Sequence, residues 1–202
     1  FMLQGLNVEE NPLSKEVDRI EVLYEDEYLI AINKPAGLLS SPGKVHDDCV
    51  EKQLRDIISD DEDLKVVHRL DQNTSGVMLV AKGMLAFQLM QRLFAERKLE
   101  KTYIAILSGV PKQLEARINV PISSSYEHRP MPVVDYETGK PAVTDFKVLE
   151  ILGSECKVEF KPYTGRTHQI RVHAASKFGL NIPIKGDMLY GTASDRLYLH
   201  SQ

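Results

Sequence analysis

Strand-like runs follow one another along most of this chain, and only three helical stretches interrupt them. That order constrains the fold more than any single motif, because a parallel doubly wound sheet needs a helix after nearly every strand. Residues 19–24 and 28–33 are apolar-rich runs around the polar Glu25-Asp26-Glu27, the pattern of two strands about a tight turn, and Lys34-Pro35-Ala36-Gly37 ends the second. Residues 64–70 and 77–81 read as buried strands with a polar segment, 71–76, bent between them. Four further strands are expected at 102–107, 115–122, 142–152 and 156–162. Asp47 or Asp48 is expected to cap a first helix that runs to about Ser59 and places Val50, Leu54, Ile57 and Ile58 on one face. A second, 84–98, carries an inner stripe of Leu85, Leu89, Leu93 and Phe94; a third, capped by Thr167, buries Ile170, Ala174 and Phe178 until Gly179 stops it. The fold class expected is α+β, a single domain with a mixed, mainly antiparallel β-sheet flanked by helices.

Composition narrows the function classes. The 202 residues are 43% hydrophobic and 27% charged, an ordinary globular balance, and no apolar run approaches the ~18–20 residues of a membrane span. With no secretion-signal pattern at 1–10, a cytoplasmic protein is expected. Cys49 and Cys156 form no CxxC pairing, which argues for reduced thiols and against a cysteine-rich zinc module. The net charge of −4 hides a division: residues 1–63 hold 6 Lys and Arg against 16 Asp and Glu, and residues 64–202 hold 19 against 13. A basic half is one footprint of a polyanion-binding face, and it is equally what a solvated surface looks like.

Two clusters carry candidate chemistry. In VVHRLDQNTSGVMLVAK, residues 66–82, Arg69 and Asp71 stand two apart and share a side if the strand persists to them. Asp71 is either an exposed functional carboxylate on a rigid scaffold or a turn cap that bonds the Asn73 or Thr74 amide. In PYTGRTHQIRVH, residues 162–173, Arg166, His168, Arg171 and His173 gather around a helix start, where amides and dipole favour an anion, or form a structural ion-pair network. His168 and His173 lie five apart and do not converge on a metal, so no metal site is expected. HRLD is only superficially like a kinase catalytic loop, since no Gly-rich nucleotide loop precedes it and no DFG follows. Residues 123–141, SSSYEHRPMPVVDYETGKP, have the composition of a long excursion.

Taken in order, HRLDQNTSG, EKTYIAILSG, ETGKPAVT, KPYTGRTHQIRVH and IKGDMLYG make the chain closely resemble the RluA family of RNA pseudouridine synthases over about residues 20–200. The resemblance implies isomerisation of uridine to pseudouridine in structured RNA, ribosomal or transfer, with Asp71 as essential carboxylate and Arg69 taking the place of the flipped base. It further implies that Tyr103 stacks beside the uracil and that Arg166 pairs with Asp71. RNA contacts are implied for His68, Thr74, Arg129, Lys140, His168, Gln169 and Arg171. The reaction needs no metal and no organic cofactor, and RNA is the expected partner, with no membrane and no obligatory protein partner for what is expected to be a monomer. Residues 1–18 are expected to be an N-terminal extension too short for an added RNA-binding domain, and 19–202 the catalytic domain. Because relatives continue past LYLHSQ, a C-terminal strand is expected to be truncated. Two rival functions are an RNA-binding protein with weak catalysis and a glycosidase using Asp71, although no second carboxylate stands beside it in sequence.

Overall fold

The computed structural model describes residues 20–43, 48–58, 63–123 and 131–202. The first hairpin joins β1, Glu21–Glu25, to β2, Leu29–Lys34. Asp26 builds its turn: Oδ1 accepts the Tyr28 and Leu29 amides at 2.8 and 2.7 Å. Next come α1, Val50–Ile57, β3, Leu64–Val66, β4, Ser75–Lys82, α2, Gly83–Ala95, and β5, Tyr103–Leu107. The second half holds β6, Glu115–Asn119, β7, Ile122–Ser123, β8, Val133–Val134, β9, Val143–Leu152, β10, Glu155–Pro162, α3, Gln169–Ala175, and β11, Leu199–Ser201.

One sheet runs β1-β2-β4-β11-β5-β10-β9-β6 with β3 also on β4, and β7 pairs with β8 separately. Every pairing is antiparallel except that of β11 with β4. The α+β class, mixed sheet and three helices among the described residues match the expectation. The short β11 lies at the centre of the sheet, between β4 and β5. Gly76 makes this possible: at φ +113° a Cβ there would lie 2.1 Å from the Ser201 carbonyl oxygen. One core gathers Ile30, Ile32, Leu54, Leu70 and Met78 under α1; a second gathers Leu107, Phe146, Val158, Phe160 and Ile170 under α3. Tyr103 packs against both.

Several local expectations are corrected. The strand expected at 64–70 stops at Val66, because Val67 O accepts from Gln91 Nε2 and Leu70 exchanges bonds with the Ser40 hydroxyl instead of a neighbouring strand. Arg69 and Asp71 therefore share no strand face. The strand expected at 115–122 breaks at Pro121, which has no N–H to donate, into β6 and β7. In α2 the expected stripe holds at Leu93 and Phe94, which pack with the buried Ala86 and Met90, while Leu85 and Leu89 are 78% and 56% exposed, one position or about 100° off the inward face. Phe178 lies beyond α3 and is exposed, and Thr167 caps nothing: His168 holds the N-cap place at φ 55° with no side-chain cap. Cys49 stands at the N-cap of α1, where Asp48 bonds the Gln53 side chain; Asp47 lies outside the described residues.

Candidate active site

Asp71 opens the loop that feeds β4, and the β2 side of the molecule clamps that loop through backbone atoms. Gly37 N donates to Gln72 O at 2.8 Å, and Gln72 Nε2 donates back to Gly37 O at 3.0 Å. Lys34, fully buried, donates Nζ to the carbonyls of Pro35, Leu38 and Gln72 at 2.9, 2.7 and 3.0 Å. Burial pulls its ammonium down to about 8, while the Asp71 charge works the other way. The Thr74 amide donates to the Asp71 backbone carbonyl at 3.0 Å, so the turn closes without the carboxylate. That leaves the side chain aimed into a cavity of about 310 Å³ with Tyr103, Thr74, His168, Arg171 and Leu199 around it.

The facing wall is α3 and the segment that supports it. Arg171, 4% exposed, grips Asp187 with two bonds of 2.8 Å, and its Nη1 lies 3.6 Å from Asp71 Oδ2. Burial opposes the Arg171 charge, yet the Asp187 bonds, with both carboxylates, hold the guanidinium above its usual value. Asp187 also accepts the Leu189 and Tyr190 amides, and burial, which would raise it, loses to the Arg171 bonds, so its carboxyl is held low. His168 Nε2 stands 3.9 Å from Asp71 Oδ2. The Tyr190 hydroxyl gives its proton to Pro132 O at 3.0 Å and so accepts from His168 Nδ1 at 3.0 Å, which fixes the tautomer with Nε2 unprotonated and facing the carboxylate. Burial lowers His168 despite the opposing Asp71 charge, and the imidazole is neutral at pH 7.

The structure sorts the expected residues. Asp71, Arg69, Tyr103, Arg166, His68, Thr74, His168, Gln169 and Arg171 all border the cavity. Arg69 is exposed on its rim. Burial, with the Asp71 charge added and a Ser201 hydrogen bond opposing, pushes Tyr103 up to about 12, so its phenol stays protonated. The implied Arg166–Asp71 pair is not the one formed. Arg166 precedes α3 and spends Nε on Pro141 O at 3.1 Å, whereas Arg171, inside the helix, reaches Asp71. Gln169 is 4% exposed and its amide joins Val143, Thr144, Thr164 and the Arg166 amide, so it pins α3 to the sheet and offers nothing outward. His68 Nε2 accepts the Leu79 amide at 3.0 Å beneath Phe94, and burial, with the Lys101 charge, drives it down to about 4. Thr74 is buried, and its hydroxyl finds no partner among the described residues. Lys140 is exposed past the turn after β8, where its backbone bridges Ile122, apart from the cavity lining, and Arg129 lies outside the described residues. His173 bonds Thr144 and Val120 O in the core, and no cluster of metal-ligating side chains occurs among the described residues. Lys34, Asp187 and Tyr190 were missed as site residues, although IKGDMLYG, which contains the last two, signalled the segment.

Comparison with known proteins agrees with this geometry. Residues 28–176 match the family described as RNA pseudouridylate synthase. The Dual-specificity RNA pseudouridine synthase RluA of Escherichia coli K12 is 39% identical over 90% of this chain and 84% of its own length; that of Vibrio cholerae is 41% identical over 90% and 75%. Human RNA Pseudouridylate Synthase Domain Containing 1 superposes with a TM-score of 0.77 at 31% identity, covering 92% of this chain and 77% of that one. A Cbf5-Nop10-Gar1 complex shares the fold alone, with a TM-score of 0.55 at 20% identity. The chain belongs to the RNA pseudouridine synthase family, in its RluA branch. It is an isomerase whose substrate is RNA. No helix among the described residues is long and apolar enough to cross a membrane.

Proposed function

We propose that this chain converts uridine to pseudouridine in folded ribosomal and transfer RNA, with Asp71 as the catalytic carboxylate. One observation carries the reading: the Asp71 carboxylate is left free by its own turn and faces Arg171 at 3.6 Å across a cavity that Tyr103 also lines. The reaction breaks the bond between uracil N1 and ribose C1′, turns the base, joins C5 to C1′ and releases the C5 proton. The base must leave its stack first, which costs a few kcal/mol that an inserted side chain offsets. Arg69, exposed on the rim, is suited to that insertion because a planar guanidinium stacks and hydrogen-bonds at once.

Inside the cavity, Tyr103 offers its ring to the uracil and keeps its hydroxyl proton. Attack by Asp71 on the base, attack on the sugar, and removal of a sugar proton all use this one carboxylate, whose negative charge the buried Arg171–Asp187 pair accommodates. The dual specificity in the name of the RluA relatives supports more than one RNA substrate. The chain acts in the cytoplasm as a monomer, with residues 19–202 as the catalytic unit and no cofactor.

Transcripts of transfer and ribosomal RNA labelled with tritium at uridine C5 test the proposal. Wild-type protein is expected to release tritium and leave pseudouridine in the digested RNA. Tight RNA binding without release would replace the enzyme reading with that of a binding protein.

A further inference from the structure

The catalytic cavity opens into a second one. A space of about 400 Å³ shares Phe94, Lys101, Pro162, Thr164, Gly165 and Arg166 with it and continues past the end of α2. That volume lies in the range of small-molecule sites. Arg97, Lys101, Lys161 and Arg166 contribute four cations to its wall against one carboxylate, Glu100. Of the nearby acids, Glu96 bridges Arg92 and Lys98, and Glu159, 3.7 Å from Lys161, offsets that one wall cation and leaves Arg97, Lys101 and Arg166. Lys101 is half-buried and donates to the Thr164 carbonyl at 3.4 Å; burial lowers its ammonium and the Arg97 charge lowers it further. Two cations that repel each other, Lys101 half-buried and Arg97 exposed, with no carboxylate bound to either among the described residues, favour an incoming anion.

The backbone supplies an independent observation. α2 ends with Lys98 N donating to Leu93 O at 3.0 Å and Arg97 N to Phe94 O at 3.2 Å, the paired bonds of a Schellman stop. The left-handed residue of that motif is Arg97, at φ 55°. Glycine fills this place at least cost, and a β-carbon there is strained. The chain thus keeps an arginine where its own helix would be better served by glycine, and the side chain borders the cationic cavity.

Resting on the reading of the chain as an RNA-modifying enzyme, we propose that this cavity is a second nucleotide subsite. Arg97 and Lys101 bind the phosphodiester adjacent to the flipped uridine, and Phe94 and Leu99 take the flanking ribose or base. An RNA strand leaving the Asp71 cavity enters it directly, so the subsite reads a neighbour of the modified position.

Arg97→Gly separates the two roles of this residue, since it relieves the backbone while removing the cation. The experiment measures thermal midpoint, filter binding of transfer RNA transcript between about 50 and 200 mM salt, and tritium release, in wild type, Arg97→Gly, Lys101→Gln and the surface control Lys98→Ala. Arg97→Gly is expected to melt higher than wild type yet bind about fivefold more weakly near 0.15 M salt, with the log–log salt slope reduced by about 1 and the loss in KM more than kcat. Lys101→Gln is expected to lose binding likewise, and Lys98→Ala to keep the wild-type slope. An unchanged slope in Arg97→Gly, or an equal loss in Lys98→Ala, overturns the subsite while the wild type still turns over. A wild type that neither binds RNA nor releases tritium overturns the underlying reading and the subsite with it.

Discussion

The two walls of the active cavity hold Asp71 by different physics. On the β2 side the grip is on the backbone, through Gly37, Gln72 and the three carbonyl bonds of Lys34, none of which touches the carboxylate. On the α3 side the grip is on the charge, through Arg171 locked to Asp187 and 3.6 Å from Asp71. One wall fixes where the carboxylate stands and the other fixes what it meets. The walls belong to the two hydrophobic cores, and Tyr103, which packs against both, sits where they join.

The largest effect is expected from breaking the charged wall. Arg171→Met leaves Asp187 buried without its partner and should cost about 3–5 kcal/mol in chemical denaturation. Asp187→Asn paired with Arg171→Met should recover part of that loss but no turnover, because Asp71 still lacks its cation. On the backbone wall, Lys34→Met strands the Pro35 and Leu38 carbonyls, while Gln72 O keeps the Gly37 amide, and a loss of about 1–3 kcal/mol is expected, with a lower kcat at unchanged RNA affinity.

A pH series sharpens the same contrast. The folded-state value of Lys34, about 8, lies below its ordinary 10.5, so the unfolded chain binds more protons between the two. Wild-type stability relative to Lys34→Met should therefore rise with pH across that window. An effect of similar size is expected at acid pH from His68, which is held at about 4 against 6.5. Its contribution is present above 6.5 and lost as pH falls toward 4, and His68→Gln should flatten that part of the denaturation profile.

Much of the charge side was legible in sequence, but not its wiring. Alternation exposed most strands, since β2 and β10 bury every second residue, and five motif blocks marked the site. The pairing of Asp71 with Arg171 rather than Arg166 depends on which residue lies inside the short helix α3, and that helix starts without a capping side chain to announce it. The stripe on α2 holds at Leu93 and Phe94 and fails at Leu85 and Leu89, which remain exposed, because apolar residues occur on more than one of its faces. Lys34 reads as the end of a strand, and its burial follows from a loop 38 residues later that supplies a carbonyl. β11 was illegible for the same reason: three residues become a central strand only through partners far back in the chain, at Ser75 and Gly76 in β4 and Tyr103 to Ala105 in β5.

Asp71→Asn tests the division of labour most directly, since it keeps the side chain's shape and the backbone clamp while removing the charge that the α3 wall addresses. Tritium release from C5-labelled transcripts, with RNA affinity and thermal midpoint measured on the same preparation, is predicted to fall below detection while the other two stay near wild type. Turnover by Asp71→Asn within about tenfold of wild type, a difference of only about 1.4 kcal/mol in the barrier, would contradict the assignment of the reaction to this carboxylate.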